Sequence, residues 1–246
     1  MAEKIAHHFN PRLSLRKFRD PALEGYDIWQ YELGIIPTPV LIAKAGMQPH
    51  YNTVVLAESG AENTTIIEDA LGEYETAAGQ VLKAIENGKH ITPLQKLKFA
   101  EFLSLQLTRP PIFRDWIVEK GKETFGIEFS PDLALGFLDT KHSHFVNDVK
   151  WEVLIAPASR RFVTSDNPFS IHRRPAFTGW LYPVSPKIAL TSSPDEDCVR
   201  HLKPEHVDQV NLWIVQAAQR FVYASQNSES LQKMVQEHIN TNPYLF

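Results

Sequence analysis

In this 246-residue chain the residues best placed to do chemistry are polar ones standing where the hydrophobic period calls for apolar ones. A buried polar group is costly unless it is paired, so each such position implies a partner. Phe99, Phe102, Leu103, Gln106 and Arg109 fall on one broad helical face, and Arg109 occupies its last turn before Pro110. The helix dipole favours a cation there, and an inward guanidinium needs a carboxylate or an anionic ligand. Glu68 and Glu75 lie two turns apart among Leu71, Ala78 and Leu82. Their backbones are then about 11 Å apart, too far to share one metal ion easily. One of them is expected to partner Arg109 or another internal cation; general acid or base work is the sharper alternative.

Asn211 sits in the middle of the stripe Val207, Val210, Ile214, Ala217 and Ala218. A buried Asn usually bonds neighbouring backbone, and here the segment to hold would be the turn Ser165-Asp166-Asn167-Pro168. That turn follows a hydrophobic strand. Asp and Asn form Asx-turns, and Pro168 keeps Asn167 out of the helical region. Such a turn is expected to present side chains and backbone amides at a strand end, where binding groups often lie. The plainer reading is a tight turn capped by its own side chains.

Spacing alone selects none of the ten histidines. His7 and His8 are adjacent and point apart on any regular element. His142 and His144 would share one face of an extended segment, which admits a metal ion, but no metal site is assigned. The phosphate-cradling patterns GxGxxG and GxxxxGK[ST] are absent, as are HExxH and GxSxG. Nothing identifies a cofactor.

The composition, 43% hydrophobic and 22% charged, is that of a globular protein with a sizeable core. A net charge of −4 argues against a nucleic acid held mainly by nonspecific phosphate contacts. Arg160-Arg161 and Arg173-Arg174 flank the Ser165–Pro168 turn and could focus charge there. Cys198 is alone, which excludes an internal disulfide or thiolate zinc cluster and suits a reducing compartment. With no apolar run of membrane length and no signal-like N-terminus, a cytoplasmic protein away from membranes is expected.

The elements that must position these residues read as α+β: helices packed on a small, mainly antiparallel sheet, in a single domain over 1–246. Residues 1–20 read as irregular. Tyr26–Leu33 and Pro39–Ala45 read as paired strands, and Met47–Asn63 as a loop. Ile66–Ile85 is a helix by its three-four spacing, with Thr64 or Thr65 as cap and Glu68 in capping-box range. A second helix starts at Thr92-Pro93 and breaks at Pro110-Pro111. Helix resumes over Ile112–Phe125, and again over Pro131–Phe145. Trp151–Ala156 and Arg161–Thr164 read as a hairpin, and Leu181–Val184 with Lys187–Thr191 as two further strands. Glu205–Ala218 and Ser228–Ile239 are helices flanking a short strand, Phe221–Ala224.

These motifs, in this order, resemble domain-of-unknown-function family 4238 over nearly the whole chain. The likeness rests on His7-His8-Phe9-Asn10-Pro11-Arg12 through Leu15-Arg16-Lys17-Phe18, the Glu68–Glu75 helix and Gln106-Leu107-Thr108-Arg109-Pro110. It continues in Trp151-Glu152-Val153-Leu154, Phe162 to Pro168, Pro183-Val184-Ser185-Pro186 and Asn211. Asn10 departs from it, standing where the pattern has an apolar residue before Pro11. The resemblance implies a site and no reaction.

Three readings follow. In the first, an enzyme, His7 or His8 folds over the Ser165–Asn167 turn and Asp166 orients or activates it. Arg109 binds phosphate, while Asn167 and Asn211 donate hydrogen bonds; hydrolysis or transfer at a phosphate-containing or nucleotide substrate fits that set. In the second, the same pocket binds a small anionic or nucleotide ligand, or a protein terminus, without chemistry. In the third, Glu75, Arg109, Asp166 and Asn211 are internal structure. A fully buried, paired Arg109 with no open cavity beside it would take most of the weight from the first two.

Overall fold

The computed structural model describes residues 6–55, 62–126, 143–174, 177–193 and 195–241. The expected helix over Pro131–Phe145 lies almost wholly outside them; its end is seen as a short helix, His144–Asn147. The chain forms two compact units interleaved in sequence, Met1–Pro11 with Gly46–Ser143, and Arg12–Ala45 with His144–Phe246.

Helices dominate the first unit. Ile66–Glu86 buries Leu71, Ala78, Val81, Leu82 and Ile85, one stripe at three-four spacing as its sequence predicts. Thr65 stands at the N-cap as expected, but its side chain makes no cap bond. Asn63 reaches forward instead, its Oδ1 accepting from the N–H of Thr65 at 3.0 Å and of Ile66 at 2.9 Å. Pro93–Thr108 starts with the capping box that Thr92-Pro93 foreshadows, Thr92 and Gln95 each accepting from the other's N–H. Pro111 then opens the next helix, Pro111–Phe125, which ends on Gly126 in the left-handed region.

Two stretches read as irregular carry short strands. Ala6–His8 pairs antiparallel with Met47–Pro49, His7 opposite Gln48, and Val54–Val55 pairs with Glu62–Asn63. Two or three residues cannot display an alternating pattern, so these pairings leave no local trace. Gly46 makes the first one work. Its φ is +57°, and a Cβ there would meet the Asn10 Cβ at 2.5 Å. Asn10 is itself buried, with its N–H on the Gly46 carbonyl at 3.1 Å.

Among the described residues, two sheets and the closing helices form most of the second unit. A five-stranded sheet runs in the order Cys198–His201, Lys150–Ile155, Ile188–Ser193, Phe177–Ser185, Ser170–Arg174. All its pairs are antiparallel except that of Cys198–His201 with Lys150–Ile155. A four-stranded antiparallel sheet runs Thr38–Val40, Ile28–Tyr31, Val222–Ala224, Thr164–Ser165. The architecture is α+β.

The expected hairpin between Trp151–Ala156 and Arg161–Thr164 does not form. Lys150–Ile155 pairs with Ile188–Ser193, while Thr164–Ser165 joins the other sheet against Val222 and Tyr223. Between them the chain turns at Pro157–Arg160, and Phe162 donates its N–H to the Pro186 carbonyl at 2.9 Å. Strand composition reports burial, whereas partner choice is a long-range matter. Phe162 and Val163 bury against Leu154, Leu181 and Ala189 and against Val207, Val210 and Ile214 of the helix Pro204–Ala217. Arg12–Arg16 forms a short helix here, with Leu15 in a second cluster beside Phe18, Ile28 and Tyr223.

Candidate functional site

The flagged residues fall into two groups, one in each unit. His7, His8, Glu68, Glu75, Gln106 and Arg109 belong to the first unit; Ser165, Asp166, Asn167 and Asn211 belong to the second.

In the first unit Arg109 follows Pro93–Thr108 directly and is 2% exposed. Its Nη1 donates to Glu75 Oε1 at 2.7 Å, and its Nη2 donates to the His8 carbonyl. The Arg109 carbonyl in turn accepts from the Tyr51 hydroxyl at 2.7 Å. Of the carboxylate or anionic ligand expected beside an inward Arg109, the carboxylate is present: Glu75, whose side chain keeps 25% exposure. Arg109 Nε, Gln106 Oε1 and Thr108 Oγ1 are buried without a hydrogen-bond partner among the described residues, a desolvation cost of roughly 1–3 kcal/mol each.

A second guanidinium lies in the same unit. Arg114 donates to the Tyr51 carbonyl and, at 2.7 Å, to Asn52 Oδ1. It also stacks 3.4 Å from the centroid of the Tyr51 ring. The Asn52 Nδ2 donates to Glu68 Oε1 at 2.6 Å, so Glu68 serves Asn52 rather than a capping box. Burial pushes the Tyr51 hydroxyl well above its ordinary range, against the pull of Arg114 and Arg109.

His7 is fully buried and held by backbone on both sides. Its Nδ1 accepts from the Asn52 N–H at 2.8 Å, and its Nε2 lies 2.9 Å from the Thr64 carbonyl. An acceptor on one side and a donor on the other make it the Nε2–H tautomer. Both ring nitrogens are thus engaged by backbone, and neither faces a carboxylate.

In the second unit the Ser165–Pro168 turn is closed in. The expectation that it presents its side chains is corrected: Ser165 is fully buried and Asp166 3% exposed. Asp166 Oδ1 accepts from the Gln219 N–H at 2.9 Å, and Oδ2 from those of Arg220 at 2.8 Å and Phe221 at 2.9 Å. Burial pushes its pKa up to about 6, against the downward pull of those same three donors. Ser165 Oγ donates to the Asn167 carbonyl at 2.9 Å and accepts the Asn167 N–H at 3.2 Å, the self-capped turn that was the plainer reading. Asn167 Nδ2 donates to the Ala217 carbonyl at 3.0 Å.

Asn211 bonds backbone just upstream of the turn: Oδ1 accepts from the Val163 N–H at 3.1 Å and Nδ2 donates to the Arg161 carbonyl at 2.8 Å. Arg160 pairs with Asp208 at 2.9 Å. The side chains of Arg173 and Arg174, like His142, lie outside the described residues. No group of three or more His, Cys, Asp or Glu able to hold a metal ion occurs among the described residues. No helix among them is long and apolar enough to cross a membrane.

Sequence reasoning missed Tyr51, Asn52 and Arg114. Arg114 left a signal, since it lies on a buried three-four stripe with Ile117 and Gly121. Asn52 left none, because a loop has no period against which an inward residue stands out.

The model of the family described as "Protein of unknown function (DUF4238)" matches residues 6–144 and 130–228, the span that carries both networks. No curated protein and no solved structure matches. With its match running through both buried networks, the chain belongs to the DUF4238 family.

Proposed function

We propose that this is a binding or regulatory protein without catalysis at these residues, and that the shared motif residues are its internal framework. The carrying observation is the commitment of Arg109: 2% exposed, one Nη on Glu75 and the other on the His8 carbonyl. A guanidinium so placed orders the first unit around itself instead of waiting for a substrate phosphate. Asp166 supports the same reading, because a carboxylate that accepts three backbone N–H groups has little capacity left to activate a histidine. Networks of this kind add little net stability when intact, yet losing one member costs about 3–5 kcal/mol.

The test is thermal unfolding of Arg109→Met and Asp166→Ala. The framework reading expects a large drop in melting temperature for each; melting temperatures unchanged from wild type would sink it. A second reading, hydrolysis or transfer on a phosphate-containing substrate, draws on Glu75, a quarter-exposed carboxylate backed by a buried guanidinium. It requires Glu75→Gln to abolish turnover of a nucleotide or phosphate ester while the fold survives.

A further inference from the structure

We infer that a cavity of about 170 Å³ in the second unit is a binding site for a small phosphate monoester. The inference rests on the binding reading above and gives it a ligand class. The walls are the turn over 157–161, the Asp208–Asn211 face of the helix Pro204–Ala217, the segment after Val222–Ala224, and the first turn of the helix Glu229–His238. The space equals about five or six waters of liquid volume, enough for one tetrahedral anion with a short substituent.

The charges lining it do not cancel. Arg160 is neutralised, its Nε facing both Asp208 oxygens at 2.9 and 3.1 Å. Arg161 has no carboxylate partner among the described residues. Its Nη1 donates to the carbonyls of Ala158 at 2.9 Å and Arg160 at 3.0 Å, which pins the guanidinium and leaves the Nε–Nη2 edge. That edge carries two parallel N–H groups, the fork that meets two oxygens of one anion.

Both walls are preformed. On one side Asn211, itself lining the cavity, holds the backbone of Arg161 and Val163. On the other, the Tyr31 hydroxyl donates to the Gln226 carbonyl at 3.1 Å and accepts the Ser228 N–H at 2.8 Å. Ser228 and Ser230 bring hydroxyls 2.9 Å apart into the same space. The Arg161 edge satisfies two oxygens and the serines can serve a third, so the lining suits a phosphate, with three terminal oxygens, better than a carboxylate, with two.

The experiment titrates the protein with methyl phosphate, and with acetate at equal ionic strength, following the Arg161 Nε–H signal by NMR. A saturable shift with methyl phosphate and none with acetate is expected. Calorimetric titration reads the variants, since Arg161→Gln lacks that signal: Arg161→Gln should weaken methyl phosphate binding about tenfold or more, while Lys187→Gln, which removes an equal charge from an exposed turn, should not. No saturable shift at the highest soluble concentration, an equal response to acetate, or an unchanged affinity in Arg161→Gln would each overturn the site. Should Arg161→Gln fold poorly, the wild-type titration decides by itself. Melting of the Arg109 and Asp166 variants in phosphate-free buffer judges the framework reading separately, so either can fail alone.

Discussion

Arg109 and Glu75 meet at 2.7 Å across 34 residues of sequence, a nearly buried guanidinium against a carboxylate that still touches solvent. The pair ties the end of the Pro93–Thr108 helix to the middle of Ile66–Glu86, and through Arg109 Nη2 to the strand Ala6–His8. Three elements of the first unit therefore depend on one side chain.

Glu75→Gln leaves that guanidinium buried without its counter-charge. The expected loss is about 3 kcal/mol, at the low end for a broken buried pair because Glu75 is partly solvated. Hydrogen exchange at the Ile66–Glu86 amides should accelerate more than exchange in Pro204–Ala217. Uniform acceleration, or none, would contradict the local role.

Gly46→Ala adds a Cβ 2.5 Å from the Asn10 Cβ at a φ of +57°, so both the backbone and the neighbour resist. A loss of about 2–4 kcal/mol is expected. Gly34→Ala, at φ +74° with nothing within 4 Å, should cost only about 1–2 kcal/mol. Comparison of the two melting curves isolates the Asn10 contact, and equal losses would deny it.

Asp166→Ala removes the acceptor that three buried backbone N–H groups face. The expected loss at pH 5 is about 2–4 kcal/mol, from the buried donors left unpaired. The pH dependence has a definite sign. A carboxyl whose pKa rises from 3.8 to about 6 on folding binds its proton more tightly in the folded state. Its stabilising contribution is complete below about pH 4 and is lost as pH rises through 6, with a limiting slope of about 1.4 kcal/mol per pH unit. The stability difference between wild type and Asp166→Ala should therefore shrink from pH 4 to pH 7. A difference that grows over that interval would mean that the three N–H donors outweigh burial.

Asn211→Ala unpairs the Val163 N–H and the Arg161 carbonyl, a loss of about 2–3 kcal/mol. It should also loosen the Arg161 guanidinium, which broadens the Arg161 Nε–H resonance without any ligand present. A sharp, unshifted resonance in the variant would show that the turn holds itself.

Much of this was readable along the chain. The three-four stripe of Ile66–Glu86, the Thr92-Pro93 start and the Ser228 cap are local, since each depends on residues within one or two turns. Gln106, Arg109 and Asn211 were legible as buried polar groups for the same reason: a helix face is a short-range property. Glu75 was legible as one of two candidate partners of Arg109; the backbone partners were not, because His8, Val163 and Arg161 offer atoms that every residue possesses.

The α+β class, the long helices Ile66–Glu86, Pro93–Thr108 and Pro204–Ala217 to within a residue or two, and the polar positions on apolar faces were thus determined by the sequence itself. Only the tertiary structure decided that Arg161–Thr164 leaves the Trp151 strand and that Thr164–Ser165 pairs beside Val222. The same holds for the Asp166 carboxylate, which caps the Gln219–Phe221 backbone instead of facing outward. Strand pairing and long-range hydrogen bonding join segments more than 50 residues apart, and no local period encodes such a partner.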